Sequence, residues 1–410
     1  MRDRYSCLLH VDKTMRTTTR LIGHYLCLYG AIGIYLPFLP VFLAASGLDS
    51  LQIGFLLAIG PSTSIFAQIA WGNFADKHNR RKEYLVIALT GTAIVCMTLT
   101  FFKSLSLLAL LLFLYALFNS ATSPLTDGLA LDAVADTSHF GLLRRWGSLG
   151  FAVTAVTGGV FFSHLPVRLF GVVAGSLYAM TLLWTVGLPN PRKWNRPTGA
   201  AFPLIEVLKV PGVKPLLLVL LLVMVPYAAY SSFLGWHLQS LGASRLWVGI
   251  AWTVAALSEV PIFGLGSRWL IRTSARSLMA GSALIFAVRW LAYAYIQSYP
   301  IIVFLQLAQS LSFALFYLAA VEYLTKLVPH ELRSCAQSLM QGIGFGVSAI
   351  VGSTVGGWLV KTGGIFILYI LMAILSGLGA LCSFVYLRNK PSVENVNNLS
   401  KGIRSPKGSD

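Results

Sequence analysis

A chain of 410 residues that is 56% hydrophobic and only 11% charged is too oily for a soluble domain of that length. Its net charge of +17 would suit nucleic acid, but the basic residues are placed for another purpose. Twenty-six of the 31 Lys and Arg fall in the two tails and in every second loop, the positive-inside pattern of a membrane protein, so no nucleic-acid partner is expected.

In chain order, apolar runs of about 20 residues, each long enough to cross a bilayer, are predicted at 20–45, 52–75, 84–102, 105–130, 146–163, 166–188, 214–238, 246–270, 277–297, 300–326, 335–360 and 364–387. No strand periodicity competes, so the expected fold class is an all-α membrane protein of twelve transmembrane helices. Pro124 should kink the fourth span. The basic segments put both termini in the cytoplasm of a cell inner membrane. The predicted organisation is a cytoplasmic tail at 1–19, a six-helix bundle at 20–188, a polar, proline-rich linker at 189–213, a second six-helix bundle at 214–388 and a disordered tail at 389–410.

The two bundles repeat each other at an offset of about 195. Phe38-Leu39, Gly47, Leu51 and Gly54 recur as Phe233-Leu234, Gly242, Leu246 and Gly249. Gly150-Phe151, Ala155 and Gly158 recur as Gly344-Phe345, Ala349 and Gly352. Two parallel halves with a site between them at mid-membrane are one arrangement used by secondary transporters.

Four ionisable residues stand inside apolar runs: Asp127, Glu259, Arg289 and Glu322. A charge at a bilayer centre costs about 2.5–3.5 kcal/mol even on lenient scales, so such residues face a bundle interior and handle an ion or a solute. Asp127 lies in the fourth span and Arg144 opens the fifth, close enough for antiparallel neighbours to pair. Glu259, Arg289 and Glu322 sit on three successive helices of the second half, a set suited to loading and releasing a proton. Tyr227 and Tyr230 in the seventh span, with Tyr35 in the first, are candidates to line a cavity and stack on a ring.

After the second span comes Gly72-Asn73-Phe74-Ala75-Asp76-Lys77-His78-Asn79-Arg80-Arg81-Lys82. Glycine lets helices approach, and Asp76 suits a basic partner or a helix N-terminus. This loop resembles the signature of the major facilitator superfamily, with Asn79 where a glycine is usual. Gly33 to Pro40, Pro124 to Asp127 and Arg144-Arg145-Trp146-Gly147-Ser148-Leu149-Gly150-Phe151 resemble the branch holding phenylpropionate-permease-like and lactose-permease-like proton symporters. The resemblance covers nearly the whole chain. It implies alternating access, substrate binding at Asp127 and Arg144, proton coupling through Glu259, Arg289 and Glu322, and gating by Asp76, Arg80 and Arg81. Those symporters carry a histidine beside the tenth-span acid; here Ala319 and Tyr323 flank Glu322.

The five cysteines form no framework, the seven histidines have no metal spacing, and no ATP-binding loop is present, so no cofactor and no metal are expected. The expected protein is no enzyme but a monomeric carrier in a lipid bilayer. It would import a small-molecule substrate with protons: an aromatic or other small carboxylate first, then a nucleoside or sugar. The alternative is proton-driven export of drugs or metabolites by the same fold.

Overall fold

A computed structural model describes residues 2–78, 80–133, 137–188, 204–329 and 332–387; the side chains of 2–16, 76, 131–142, 263–272 and 334 are outside the description. The described residues are helical almost throughout. In a bilayer each backbone N–H and C=O needs a partner within its own segment, and a helix supplies it.

Ten of the described stretches are long and apolar enough to cross a membrane. The last of them, Cys335–Tyr386, is 52 residues long and divides at Gly364, whose φ of 75° and ψ of 176° interrupt the helix. Counting it as two and adding the helix Arg245–Arg272 gives twelve crossings, in register with those predicted. Large apolar side chains such as Phe66, Leu183 and Phe304 are exposed on the outside, where lipid would cover them.

Two departures have local causes. The first helix starts at Arg2, far ahead of its apolar part, Thr17–Ala45. Residues 1–22 hold no Gly or Pro, so nothing in that polar tail stops the helix. The fourth span is interrupted at Ser120 and Ala121, between Leu105–Asn119 and Thr122–Ala133. Pro124 has no N–H to offer the Ser120 carbonyl, and its ring crowds that group, so the break falls one turn ahead of the proline. Of the predicted linker only 204–213 is described, and it includes a short helix, Leu204–Lys209. The predicted 389–410 tail lies outside the described residues.

The sequence repeat has a counterpart in three dimensions. Gly47 and Gly242 end the first and seventh spans with φ of 88° and 84°, a conformation open to glycine. Their N–H groups bond Ala44 O at 3.0 Å and Gln239 O at 2.9 Å, the same bond at the same offset. Gly54 of the second span meets the backbone of Ser353 and Gly357 in the eleventh, and Gly249 of the eighth meets Ala155 O in the fifth. Neither position has room for a Cβ atom.

These contacts join the two halves at one face, that of the loops near 47, 164, 242 and 362. Polar bonds reinforce the seam there. Lys361 Nζ pairs with Asp49 Oδ2 at 2.9 Å, Arg245 Nη1 donates to Phe162 O at 2.7 Å, and Leu246 N donates to Ser163 Oγ at 3.1 Å. We call this the sealed face. The opposite face carries the two chain ends.

Candidate functional site

A cavity of about 470 Å³ lies between the halves. The first half contributes Tyr35, Tyr115, Asn119 and Ser64; the second contributes Tyr227, Ser231, Ser232, Trp252 and Phe345. Pro40 and Pro61, within spans one and two, also line it, at points where a helix can bend. Its size suits a small organic ligand. Among the described residues its polar side-chain groups are hydroxyls, the Asn119 amide and the Trp252 indole N–H, and no charged side chain lines it.

The first-half wall is rigid. Tyr35 stacks on Tyr115 with ring centroids 4.0 Å apart, Tyr115 Oη bonds Tyr178 Oη at 2.8 Å, and Tyr178 Oη donates to Asn119 Oδ1 at 3.2 Å. Packed rings joined by buried hydrogen bonds hold an aromatic face in place at little entropic cost.

A second cavity, of about 250 Å³, shares Tyr227 and Trp252 with the first. Glu259 lines it, as do Tyr230, Gln309 and the first-half residues Tyr29, Ser148 and Phe151. Behind its wall sits Arg289, 2% exposed. Its guanidinium donates to Gln306 Oε1 and Gln309 Oε1, to Ser312 Oγ at 3.2 Å and to Tyr293 Oη at 2.9 Å. It also lies over the rings of Tyr230, Trp290 and Tyr293, at 5.0, 5.2 and 5.4 Å from their centroids. The tenth helix is irregular here, over-wound at Leu305–Ala308 and under-wound at Ser310–Ala314. An over-wound turn lines up residues three apart, which brings Gln306 and Gln309 to one side-chain cluster.

Gln309 links the groups. Its Oε1 accepts from Arg289, its Nε2 donates to Tyr227 Oη at 3.3 Å, and its amide also reaches the Glu259 carboxylate. Glu259 and Arg289 are therefore joined through an amide, with neutral acceptors surrounding the cation.

The predicted residues separate into groups. Asp127 and Arg144 meet as expected, with Nη1 to Oδ2 at 3.2 Å. Tyr25 Oη adds a bond to Asp127 Oδ1 at 2.8 Å. Neither member of that ion pair lines either cavity. Glu322 is not brought to Arg289: it pairs with Lys326 one turn further on, at 2.7 Å, and its side chain is 35% exposed. Helical spacing favours this i,i+4 pair, and the tenth span is long enough to carry Glu322 away from the network. Arg80 faces Glu83 at 3.6 Å on the surface, Arg81 passes beside Gly128 of the fourth span, and the Asp76 side chain lies outside the description. Tyr35, Tyr227 and Tyr230 all stand at the cavities.

Sequence reasoning passed over Gln306, Gln309, Tyr115 and the buried His24, whose ring nitrogens meet Thr126 Oγ1 at 2.8 Å and Thr185 Oγ1 at 3.0 Å. The available signal was an amide or imidazole inside an apolar run, weaker than a charge but of the same kind. Among the described residues no three His, Cys, Asp or Glu side chains converge as a metal site.

Among the described residues, twelve membrane crossings in two glycine-sealed halves around a shared cavity define a membrane transporter. Residues 18–371 match the MFS_1 like family, and the chain belongs to that family of the major facilitator superfamily. It is 30% identical over 365 residues to the maltose permease of Geobacillus stearothermophilus, spanning 87% of this chain and 91% of that protein. It is 24% identical over 351 residues to the probable 3-phenylpropionic acid transporter of Escherichia coli (strain K12), spanning 84% and 92%. Its fold is similar to the crystal structure of the nucleoside transporter NupG, with a TM-score of 0.80 at 17% identity over 90% of this chain and 98% of that one. These relatives are transporters and not enzymes.

Proposed function

We propose that the protein is a proton-coupled symporter that imports a small, uncharged, ring-bearing and hydroxylated solute, of the sugar or nucleoside class, across a cell inner membrane. One observation carries this reading: the central cavity is walled by aromatic rings and hydroxyls, while the one carboxylate nearby, Glu259, stands in an adjoining chamber. Rings stack on sugar or base faces, and hydroxyls with one amide exchange hydrogen bonds with a neutral solute. A carboxylate solute would find no cation in the cavity wall, since Arg289 is saturated behind Tyr230 and the glutamines. The similarity to a maltose permease supports the same class.

Glu259 is the proposed proton carrier. Gln309 touches both Glu259 and the cavity residue Tyr227, so solute in the cavity is felt at the carboxylate. Arg289 would hold the network in shape through Gln306 and Gln309. The sealed face is assigned to the outside and the chain ends to the cytoplasm, following the basic residues. Asp127 with Arg144, and Asp76 with Arg80 and Arg81, are assigned to the cytoplasmic rim as gating groups, and the single chain is taken as the working unit. The residues 189–213 then link two halves that rock about the cavity.

Proteoliposomes loaded under an imposed pH gradient, offered labelled maltose, uridine or 3-phenylpropionate, provide the test. Accumulation of a neutral solute that collapses with a protonophore is expected. Glu259→Gln should abolish accumulation and leave solute-for-solute exchange intact. Gradient-driven uptake of the carboxylate alone would overturn the solute assignment, and normal accumulation by the variant would overturn the role of Glu259.

A further inference from the structure

Basic residues are scarce in the loops of the sealed face. They number four, Lys103, Arg168, Arg245 and Lys361, and the same loops hold one acidic residue, Asp49. Lys361 takes that acid. The other three converge: Lys103, Arg168 and Arg245 line a single cavity of about 160 Å³, with the hydroxyl residues Ser46 and Thr100 at its wall. At ~30 Å³ of liquid per water, that space holds about five waters, enough for one tetrahedral oxyanion.

The charges come from both halves of the fold. Lys103 follows the third span and Arg168 precedes the sixth, whereas Arg245 begins the eighth. Arg245 is held in position by its bond to Phe162 O, which leaves the rest of its guanidinium for another partner. No carboxylate pairs with any of the three among the described residues. Closing the sealed face therefore adds Arg245 to a cavity that the exposed Lys103 and Arg168 already line, and like charges gathered at a solvated face oppose closure, weakly because salt screens them. An anion in the cavity reverses the sign, because each cation then finds a partner and the ligand bridges the halves. Two guanidinium forks and an ammonium suit phosphate oxygens.

We propose that Lys103, Arg168 and Arg245 form an oxyanion site for a phosphate group, carried by a lipid headgroup or free in solution, whose occupancy holds the two halves together at the sealed face. The site is separate from the solute cavity, and it does not depend on which solute crosses.

The full chain would be purified in phosphate-free maltoside micelles and its Tm measured with and without inorganic phosphate at matched ionic strength. A parallel set would contain phosphatidylglycerol and no phosphate. A rise of at least ~2 °C is expected in one arm, since a ligand of the folded form stabilises by mass action. A rise with phosphatidylglycerol alone names a lipid headgroup; a rise with inorganic phosphate names the free anion. R245Q and the double variant K103Q/R168Q should each lose the response, although they alter opposite halves. K103E supplies a carboxylate in place of the ligand; it should be at least as stable as the unaltered chain in plain maltoside micelles and should not respond. An unchanged response in K103Q/R168Q, no response in either arm, or a K103E chain less stable than K103Q/R168Q would overturn the proposal.

Discussion

Lys361 Nζ stands 2.9 Å from Asp49 Oδ2, and the two residues belong to opposite halves of the chain. Asp49 also caps the second helix: its Oδ1 accepts from Gln52 N at 2.9 Å, and Gln52 Oε1 accepts from Asp49 N at 3.0 Å. One carboxylate thus ends a loop and ties the halves together. The Gln52 N–H first, then the Lys361 ammonium, holds the Asp49 carboxyl below the usual carboxylate range.

That pair gives the first prediction. Asn caps a helix about as well as Asp, so Asp49→Asn removes the ion pair and spares the cap. The side chains of Lys361 and Asp49 are 48% and 42% exposed, and pairs of this kind are worth about 0–1 kcal/mol. The variant should open the sealed face by a factor of about five or less. The labelling rate of one cysteine at Ser231, in a cysteine-free background, by an impermeant thiol reagent added at that face would measure it. Lys361→Gln removes the same pair from its other end and should change the rate by the same factor, and adding it to Asp49→Asn should change it no further.

The same pair predicts a flat pH response. A carboxyl depressed in the folded state stabilises it above the unfolded value of about 3.9, and that contribution is lost only as pH falls through the lowered folded value. The Asp49 contribution should therefore stay constant across about pH 5 to 8. Labelling that accelerates between those limits in the unaltered chain but not in Asp49→Asn would contradict it.

Gly54 has no space for a side chain, since a Cβ there collides with the Ser353 carbonyl and the Gly357 backbone. Gly54→Val should push the second and eleventh helices apart and leave the sealed face open in a folded protein. Transport should fall below one tenth of normal, roughly the effect of 1.4 kcal/mol against closure. The Ser231 cysteine should label fast in this variant, which a misfolded chain lost on purification would not show.

Arg289 donates to four side chains in a buried cluster. Arg289→Met leaves the Gln309 Oε1 acceptor without its donor, at a cost of about 1–3 kcal/mol, whereas Gln306 Oε1 still accepts from the Tyr230 hydroxyl. A lower Tm in detergent is expected. Lys keeps the charge but lacks the planar fork, so Arg289→Lys should fall between.

Glu322 pairs with Lys326 away from both cavities. Glu322→Gln should keep solute accumulation within about two-fold of normal, as a surface i,i+4 pair contributes only about 0.3–0.5 kcal/mol. A variant that binds solute but no longer accumulates it would return Glu322 to the proton path.

Tyr35 stacks on Tyr115 in the cavity wall. Replacing either by Ala should raise KM about two- to ten-fold with little change in turnover, the equivalent of 0.5–1.5 kcal/mol per ring contact. Tyr35→Phe, which keeps the ring, should leave KM nearly unchanged in initial-rate uptake.

The sequence by itself determined the number of crossings, their limits to within a few residues, and the repeat that sets Gly47 against Gly242. Those features are local: a bilayer demands long apolar helices, and a left-handed helix end demands glycine, so composition along the line carries them. The sequence also marked Asp127 with Arg144 as neighbours, because a short connection between antiparallel helices leaves few alternatives. What only the tertiary structure decided is which side chains share a cavity. Glu259, Arg289 and Glu322 look alike as charges in apolar runs, yet rotation about the tenth helix gives Arg289 to Gln306 and Gln309 and gives Glu322 to Lys326. The meeting of Lys103, Arg168 and Arg245 was equally out of reach, since the residues are far apart in the chain and are neighbours only when the two halves close.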